Sequence, residues 1–277
     1  MNLRKTLRAY LSQYKNHGYT FVNQSLMGVQ LNTVKNSLRL TPDQDDAWWF
    51  HLSKHHNDLY DIGCNVGYTA ILALLVKPNR KIILIDPNPK ALQIAAANLI
   101  ANGLGNKAHF LGAFVGNTVD EYVKFYTIGA GAAGSVYRSH AKTAASINSF
   151  INVKTLTLDY LYDFYDVKPD LIKIDVEGAE TTIMESAKKI AKAMKPTFFI
   201  EMHNVANLGM EAAGQIMLDW CDEMAYKAWY PKTGQHLEHA KTIKDRGKCH
   251  LLLLPEDKPY PEYLKNIEQN SDLPTTL

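Results

Sequence analysis

Asp61-Ile62-Gly63-Cys64-Asn65-Val66-Gly67-Tyr68-Thr69-Ala70 is the stretch on which the fold reading rests. The apolar run ending at Ile62 has the length of a buried strand, and Tyr68–Val76 that of an apolar helix. The two glycines between them mark a sharp turn from one to the other. Working outward, residues 81–86 form a second short apolar strand, followed by a helix at Pro89–Ala101 that stops at Asn102-Gly103. A third strand is expected over residues 108–114. This alternation predicts βαβ units in a parallel sheet.

The rhythm breaks at residues 117–158, where segments 122–128 and 152–158 read as paired strands flanking a small-residue loop at 129–135. It resumes with a strand at 171–175, a helix at 181–194, a strand at 197–202, a helix at Met210–Met224 and closing strands at 225–230 and 249–254. Residues 1–54 carry a helical and turn-like pattern with no strong strand. Thr41 is expected as an N-cap, Pro42 as the first helical position and Asp43 as an acid in the first turn. We therefore expect an α/β chain with a Rossmann-like, doubly wound, mostly parallel seven-stranded sheet in residues 55–255. An N-terminal helical cap (1–54), a mid-chain β insertion (117–158) and a surface tail (256–277) complete it.

Composition narrows the classes. The chain has 277 residues, 46% hydrophobic and 21% charged, as a globular protein has. Thirty Lys and Arg against 28 Asp and Glu leave a formal charge of +2, too weak a bias to point to nucleic acid. Three widely spaced cysteines predict free thiols and a cytoplasmic setting. No apolar run reaches membrane-spanning length, and the basic N-terminus lacks the apolar core of a secretory signal.

The glycine spacing is G-x-x-x-G, without the middle glycine that lets a pyrophosphate approach the backbone. An adenosyl ligand without phosphates fits better, and S-adenosylmethionine is one. Asp86 ends the second strand 19 residues beyond Gly67, where a carboxylate can accept both hydroxyls of a ribose. Asp61, Gly63, Asn65, Gly67, Asp86 and Asn88 are accordingly the expected cofactor residues, with Ala113 and Phe114 beside the adenine.

DIGCNVGYTA, IDPNP, LTLDYLYD, PDLIKIDVEGAE and FIEMH occur in an order and spacing that resembles the FkbM family of methyltransferases, over roughly residues 55–205. Cys64 stands where the family commonly has alanine, a small-for-small change. The resemblance implies O-methylation of a sugar, glycan or other small-molecule hydroxyl.

Ligands of open α/β sheets sit beyond the carboxyl ends of the strands. There the fourth and fifth strands deliver Asp175, Glu177, Glu180, Glu201 and His203. An alcohol needs its proton removed to attack, so His203 is the expected base, oriented by Asp175 or Glu201, with Glu177 beside them. The same acids could hold a divalent metal. Asp175 and Glu201 look similar in placement to the magnesium ligands of macrocin-type sugar O-methyltransferases. The metal is the less favoured reading, because Met202 follows Glu201 where a further acid would be needed and His203 is a poor magnesium ligand. Ser135, Arg138 and Asn204 are candidate acceptor contacts. His236 and His239 read as a surface pair, and Trp48-Trp49 as core. The rival functions are a nicotinamide-dependent oxidoreductase on the same fold and a non-catalytic adenosyl-binding protein.

Overall fold

The structure, a computed structural model, describes residues 18–39, 41, 43, 45–128, 134–205 and 207–277. Its centre is an eight-stranded sheet. Strands β3 (Leu59–Ile62), β4 (Ile82–Ile85), β5 (Ala108–Leu111), β9 (Leu171–Ile174) and β10 (Thr197–His203) run parallel. Beyond β10 come the antiparallel β13 (Lys248–Pro255) and β11 (Tyr226–Tyr230), and the two-residue β12 (Gln235–His236) makes the eighth strand at the edge. The spatial order is β12-β11-β13-β10-β9-β3-β4-β5. The chain therefore winds one way from β3 through β4 to β5 and the other way through β9 and β10. The crevice between the carboxyl ends of β3 and β9 is the switch point where such sheets bind ligands.

Alternation along each strand fills two cores. Tyr60, Ile62, Ile83, Ile85, Ile172 and Ile174 face one side, and Leu59, Ile82, Leu84 and Leu171 face the other. All ten are at most 1% exposed. Each such side chain contributes roughly 1.5–3 kcal/mol by leaving water, so the strand ends carrying polar groups are fixed by apolar strand bodies. Trp48 and Trp49 lie in the second core, as expected.

The N-terminal segment differs from the helical cap expected of it. Residues Phe21–Leu26 (β1) and Val29–Val34 (β2) form an antiparallel hairpin. Its two-residue turn, Met27-Gly28, has both φ values positive, the primed geometry that matches strand twist. The hairpin docks on helix α3 (Pro89–Ala101; helix α2 is Tyr68–Val76). Val34 N–H donates to Asn98 Oδ1 at 2.8 Å, and the Asn32 N–H and carbonyl pair with the Asn102 side chain. Helix α1 spans Asp46–His55, beginning after the expected Thr41–Asp43 start; Pro42 lies outside the described residues. Arg39 reaches both Asp43 and Asp46, and the Asp43 N–H donates to the Asp46 carboxylate, so this stretch is tied as a loop.

The insertion pairs β7 (Tyr122–Tyr126) with β8 (Phe150–Leu156), and β8 with the short β6 (Phe114–Val115). Helix α4 (Lys142–Ser146) lies between β7 and β8, and α5 (Leu158–Phe164) follows β8. Residues 129–133 of the expected loop lie outside the described residues. The single helix expected over 181–194 is two, α6 (Glu180–Glu185) and α7 (Lys188–Met194). Asp159 divides them by accepting the Lys189 and Ile190 N–H groups at the head of α7. Helix α8 is Met210–Met224. The tail straps over α1: Trp48 donates to the Ile267 carbonyl at 3.0 Å, and His55 stacks on Tyr263. Among the described residues no helix is long and apolar enough to cross a membrane.

At the switch point, Gly63 has φ +83°, and a Cβ there would lie 1.8 Å from the Asp175 carbonyl oxygen. Gly67 has φ +82°, and its Cβ would meet Ala95 of α3 at 2.9 Å. Gly63→Ala is expected to cost more than about 3 kcal/mol, since backbone blocks it. Gly67→Ala should cost about 1–2 kcal/mol, the left-handed penalty plus a small helix shift. Urea unfolding of the two variants measures the order.

Candidate functional site

Two clefts open at this crevice. The first, about 660 Å³, is lined by Gly63, Asn65, Asp86, Asn88, Ala113 and Phe114, with Phe125 and Gly134 from the insertion across from them. Asp86 is 7% exposed. Its Oδ2 accepts the Asn65 N–H and its Oδ1 the Asn88 N–H, both at 2.8 Å. Each oxygen keeps a second lone pair, directed by the two backbone bonds, for a ligand hydroxyl. Burial pushes this carboxyl up to about 6, against the pull of the two N–H groups. Asn65 reaches its place through a left-handed φ of +46°, and its buried Oδ1 has no protein partner among the described residues. A shaped hollow with an anchored carboxylate and an unmatched amide acceptor fits an adenosyl group.

Two expected cofactor residues lie under this cleft rather than in its wall. Asp61 is fully buried and accepts the Thr69 hydroxyl at 2.6 Å, so it braces the turn from beneath. Gly67 caps α2 in left-handed geometry. Phe125 and Gly134 had no sequence signal tying them to the crevice. Gly134 crosses the Phe125 ring so closely that a Cβ would sit 2.4 Å from it.

The second cleft, about 850 Å³, shares Gly63, Asn65, Asp175 and Glu177 with the first. Lys173, Glu201 and Lys248 continue its wall, which Arg39, Asp43 and Asp45 of the N-terminal segment complete. Glu177 and Gly178 follow β9 with φ of +56° and +111°, two left-handed residues in succession that turn Glu177 back over the strand end. Backbone held in such regions is a known form of strain at functional sites.

Behind the shared residues lies a charge network. Lys173, 3% exposed, holds Asp175 at 3.1 Å. Burial pushes the Asp175 carboxyl up, to about 7, and Glu201 adds to this, while the Lys173 ammonium opposes it. His203 is 6% exposed. Its Nδ1 lies 2.8 Å from Glu180, and its Nε2 lies 3.4 Å from Glu201 and 3.5 Å from Glu177. Burial alone would lower its pKa, but the bonds to Glu180 and Glu201 outweigh that and raise it to about 11. Burial would likewise raise Glu201, yet His203, His250 and Lys248 hold it well below the usual carboxylate range.

His203, the expected base, is held by Glu180 on one ring nitrogen and by Glu201 and Glu177 on the other, contacts that favour its protonated form. The Asp175 carboxyl, raised in this way, faces both clefts. Among the described residues, ligand atoms of Asp175, Glu177 and His203 lie within 4.8 Å of one another. A cation there would have to displace the proton that His203 holds. Glu201, the other expected metal ligand, is instead bound by Lys248 at 2.7 Å.

Three expected acceptor contacts point elsewhere. Ser135, 1% exposed, donates to the Glu177 carbonyl at 2.8 Å and accepts the Tyr137 N–H, which pins the Glu177 turn. Arg138 is spent within the insertion on Tyr126 and the Ala145 carbonyl. Asn204 is exposed and pairs through its backbone with Gly247. Thr157-Leu158-Asp159 is structural too: Thr157 caps α5 and Asp159 caps α7. His236 and His239 are exposed, as expected.

A doubly wound sheet with an anchored acid after its second strand defines a nucleoside-cofactor enzyme fold. The family model of the FkbM methyltransferase domain matches residues 61–228, and the chain belongs to that family of methyltransferases. Among solved structures, the fold is similar to the FkbM methyltransferase of Methylobacillus flagellatus KT (15% identity, TM-score 0.43), covering 71% of this chain and 43% of that one. It is also similar to cofactor-bound Rv0187 from MTB (14%, TM-score 0.47, 91% and 90% covered) and to M. jannaschii TYW2 in complex with AdoMet (11%, TM-score 0.45, 85% and 84%). The chain spans less than half the length of the first of these. None of the curated proteins matches the sequence.

Asp86→Ala removes both anchored acceptors from the first cleft. Calorimetry with S-adenosylhomocysteine should show affinity falling at least about 10-fold, the worth of one charge-assisted hydrogen bond or more.

Proposed function

We propose that the protein transfers a methyl group from S-adenosylmethionine to a hydroxyl of a sugar, glycan or similar small metabolite. One observation carries this reading: Asp175 and Glu177 lie in the wall common to both clefts, so a carboxylate stands where cofactor and acceptor would meet. The bound cofactor supplies an electrophilic methyl group on a sulfonium. The chain's residues do the rest. Asp86 and the Gly63–Asn65 turn hold the adenosyl end, with Asn88, Ala113 and Phe114 completing that pocket. Asp175 accepts the hydroxyl proton as the acceptor oxygen attacks. Lys173 fixes the orientation of that carboxylate, and the His203 cation offsets the negative charge of Glu177, Glu180 and Glu201 around it. Removal of water from the crevice strengthens each of these interactions. Free, buried cysteines fit the cytoplasmic setting expected from the sequence, and we include in the proposal that neither nucleic acid nor a membrane is the partner.

The sign of the pH dependence follows from Asp175. A base works deprotonated, so kcat should fall as pH drops below about 7 and level off above it. Had His203 been the base, the rise would come near its far higher value. Labelled-methyl incorporation into sugar-containing extracts, with mass spectrometry of the product, gives the assay. Asp175→Asn should lower kcat by at least about 100-fold, the scale of general-base catalysis, with S-adenosylhomocysteine affinity little changed. An unchanged kcat, or tight binding of NADH in place of S-adenosylhomocysteine, would refute the assignment.

A further inference from the structure

Asp45 occupies the N-cap position of α1, yet its side chain makes no capping bond. An aspartate there normally accepts a helix N–H. Instead the carboxylate stands in the wall of the second cleft, 9% exposed, with Arg39 as its ion-pair partner at 3.8 Å. That separation is beyond hydrogen-bond length. Arg39 itself is drawn closer to Asp43 (2.8 Å) and Asp46 (2.5 Å). Among the described residues this nearly buried carboxylate caps no helix N–H and stands on the cleft face.

The remaining charges say which ligand. Asp43, Asp45, Asp175, Glu177 and Glu201 face the cleft against Arg39, Lys173 and Lys248. Each base is already paired: Arg39 as above, Lys173 with Asp175, and Lys248 with Glu201. A phosphate or carboxylate entering here would meet a surplus of acids and have to break an existing pair to gain a cation. A neutral hydroxyl compound would meet more carboxylate acceptors than cations, and carboxylates suit O–H donors. Asp175 and Glu177, the residues shared with the cofactor cleft, line the same cleft as Asp45.

We propose that the second cleft is the methyl-acceptor site, that it takes an uncharged polyhydroxyl compound, and that Asp45 of the N-terminal segment is the residue that selects it. This rests on the methyl-transfer reading above. Asp45 binds a hydroxyl of the acceptor away from the reacting oxygen, and Asp175 addresses the oxygen that is methylated. Anionic sugars are rejected by repulsion, which makes the cleft a filter as well as a cradle.

The test compares methyl glycosides of neutral hexoses with glucuronate and glucose 6-phosphate as acceptors of labelled methyl, in the full chain and in Asp45→Asn. A neutral glycoside should be methylated and the two anions not. Asp45→Asn should raise the acceptor KM by about 10-fold or more, the worth of a hydrogen bond to a charged group, while kcat and the S-adenosylhomocysteine Kd stay within about threefold. The substitution keeps the side chain's size and gives up no capping bond, so the fold is retained, and thermal unfolding checks this. Equal turnover of the anions overturns the proposal. So does a weakened S-adenosylhomocysteine Kd in the variant, which would assign this wall to the cofactor's amino-acid end. If no neutral glycoside is methylated while S-adenosylhomocysteine still binds, the acceptor class falls and the cofactor assignment stands. Loss of that binding in the unaltered chain would sink the methyltransfer reading itself.

Discussion

The close passage of Gly63 over the Asp175 carbonyl is the constraint from which the rest of the site follows. Strands β3 and β9 pair in parallel from Leu59–Leu171 to Ile62–Ile174, and Asp175 N–H still donates to Ile62 O at 3.0 Å as they end. Only a residue without Cβ in left-handed geometry can turn away at that point. Because it turns there, Asn65 N–H reaches Asp86 on one side, and the Asp175–Glu177 segment is exposed on the other. One steric fact thus places Asp86 and Asp175 together in the lining of one crevice.

The ionisable side chains behind that crevice work against the stability of the fold. Lys173, Glu180, Glu201 and His203 are each under a tenth exposed, and ions taken from water are compensated only by well-formed pairing. Here the pairing forms a chain, from Lys173 to Asp175 and from Lys248 through Glu201 and His203 to Glu180. Asp175 is the link left least satisfied: one lysine bond does not offset its burial and the neighbouring acid. That imbalance raises its proton affinity above that of an ordinary carboxylate, the direction the proposed base requires. The network is therefore better understood as tuning one carboxylate than as holding the sheet together.

Much of this was legible because the decisive signals are local. The helices Tyr68–Val76 and Pro89–Ala101 follow from apolar runs closed by Lys77-Pro78 and Asn102-Gly103, and the G-x-x-x-G turn with Asp86 marks the first cleft. The misses have a common cause in contacts across long stretches of chain. The Met27-Gly28 hairpin had a readable glycine, but its partner residues Asn98 and Asn102 lie some 70 positions on. Ser135 resembled a free loop hydroxyl until the Glu177 carbonyl claimed it. The sequence brought Glu177, Glu180, Glu201 and His203 to one rim, but not which ring nitrogen each carboxylate would meet. Lys248 and Asp45 reach the second cleft from opposite ends of the chain, so no spacing rule could have joined them.

The N-terminal segment is then more than a cover. Asn98, fully buried in α3, accepts the Val34 N–H, bonds Ser37, and donates to the Val66 carbonyl inside the cofactor turn. Tyr68, the first residue of α2 after that turn, donates to Asp46 and lies beneath the Arg39 guanidinium at 4.6 Å. Two independent tethers therefore join the turn that shapes the first cleft to Ser37 and Arg39, which line the second. Rigid packing passes small displacements on rather than absorbing them. The Cys64–Gly67 turn and the N-terminal residues that line the second cleft are in this way packed as one unit.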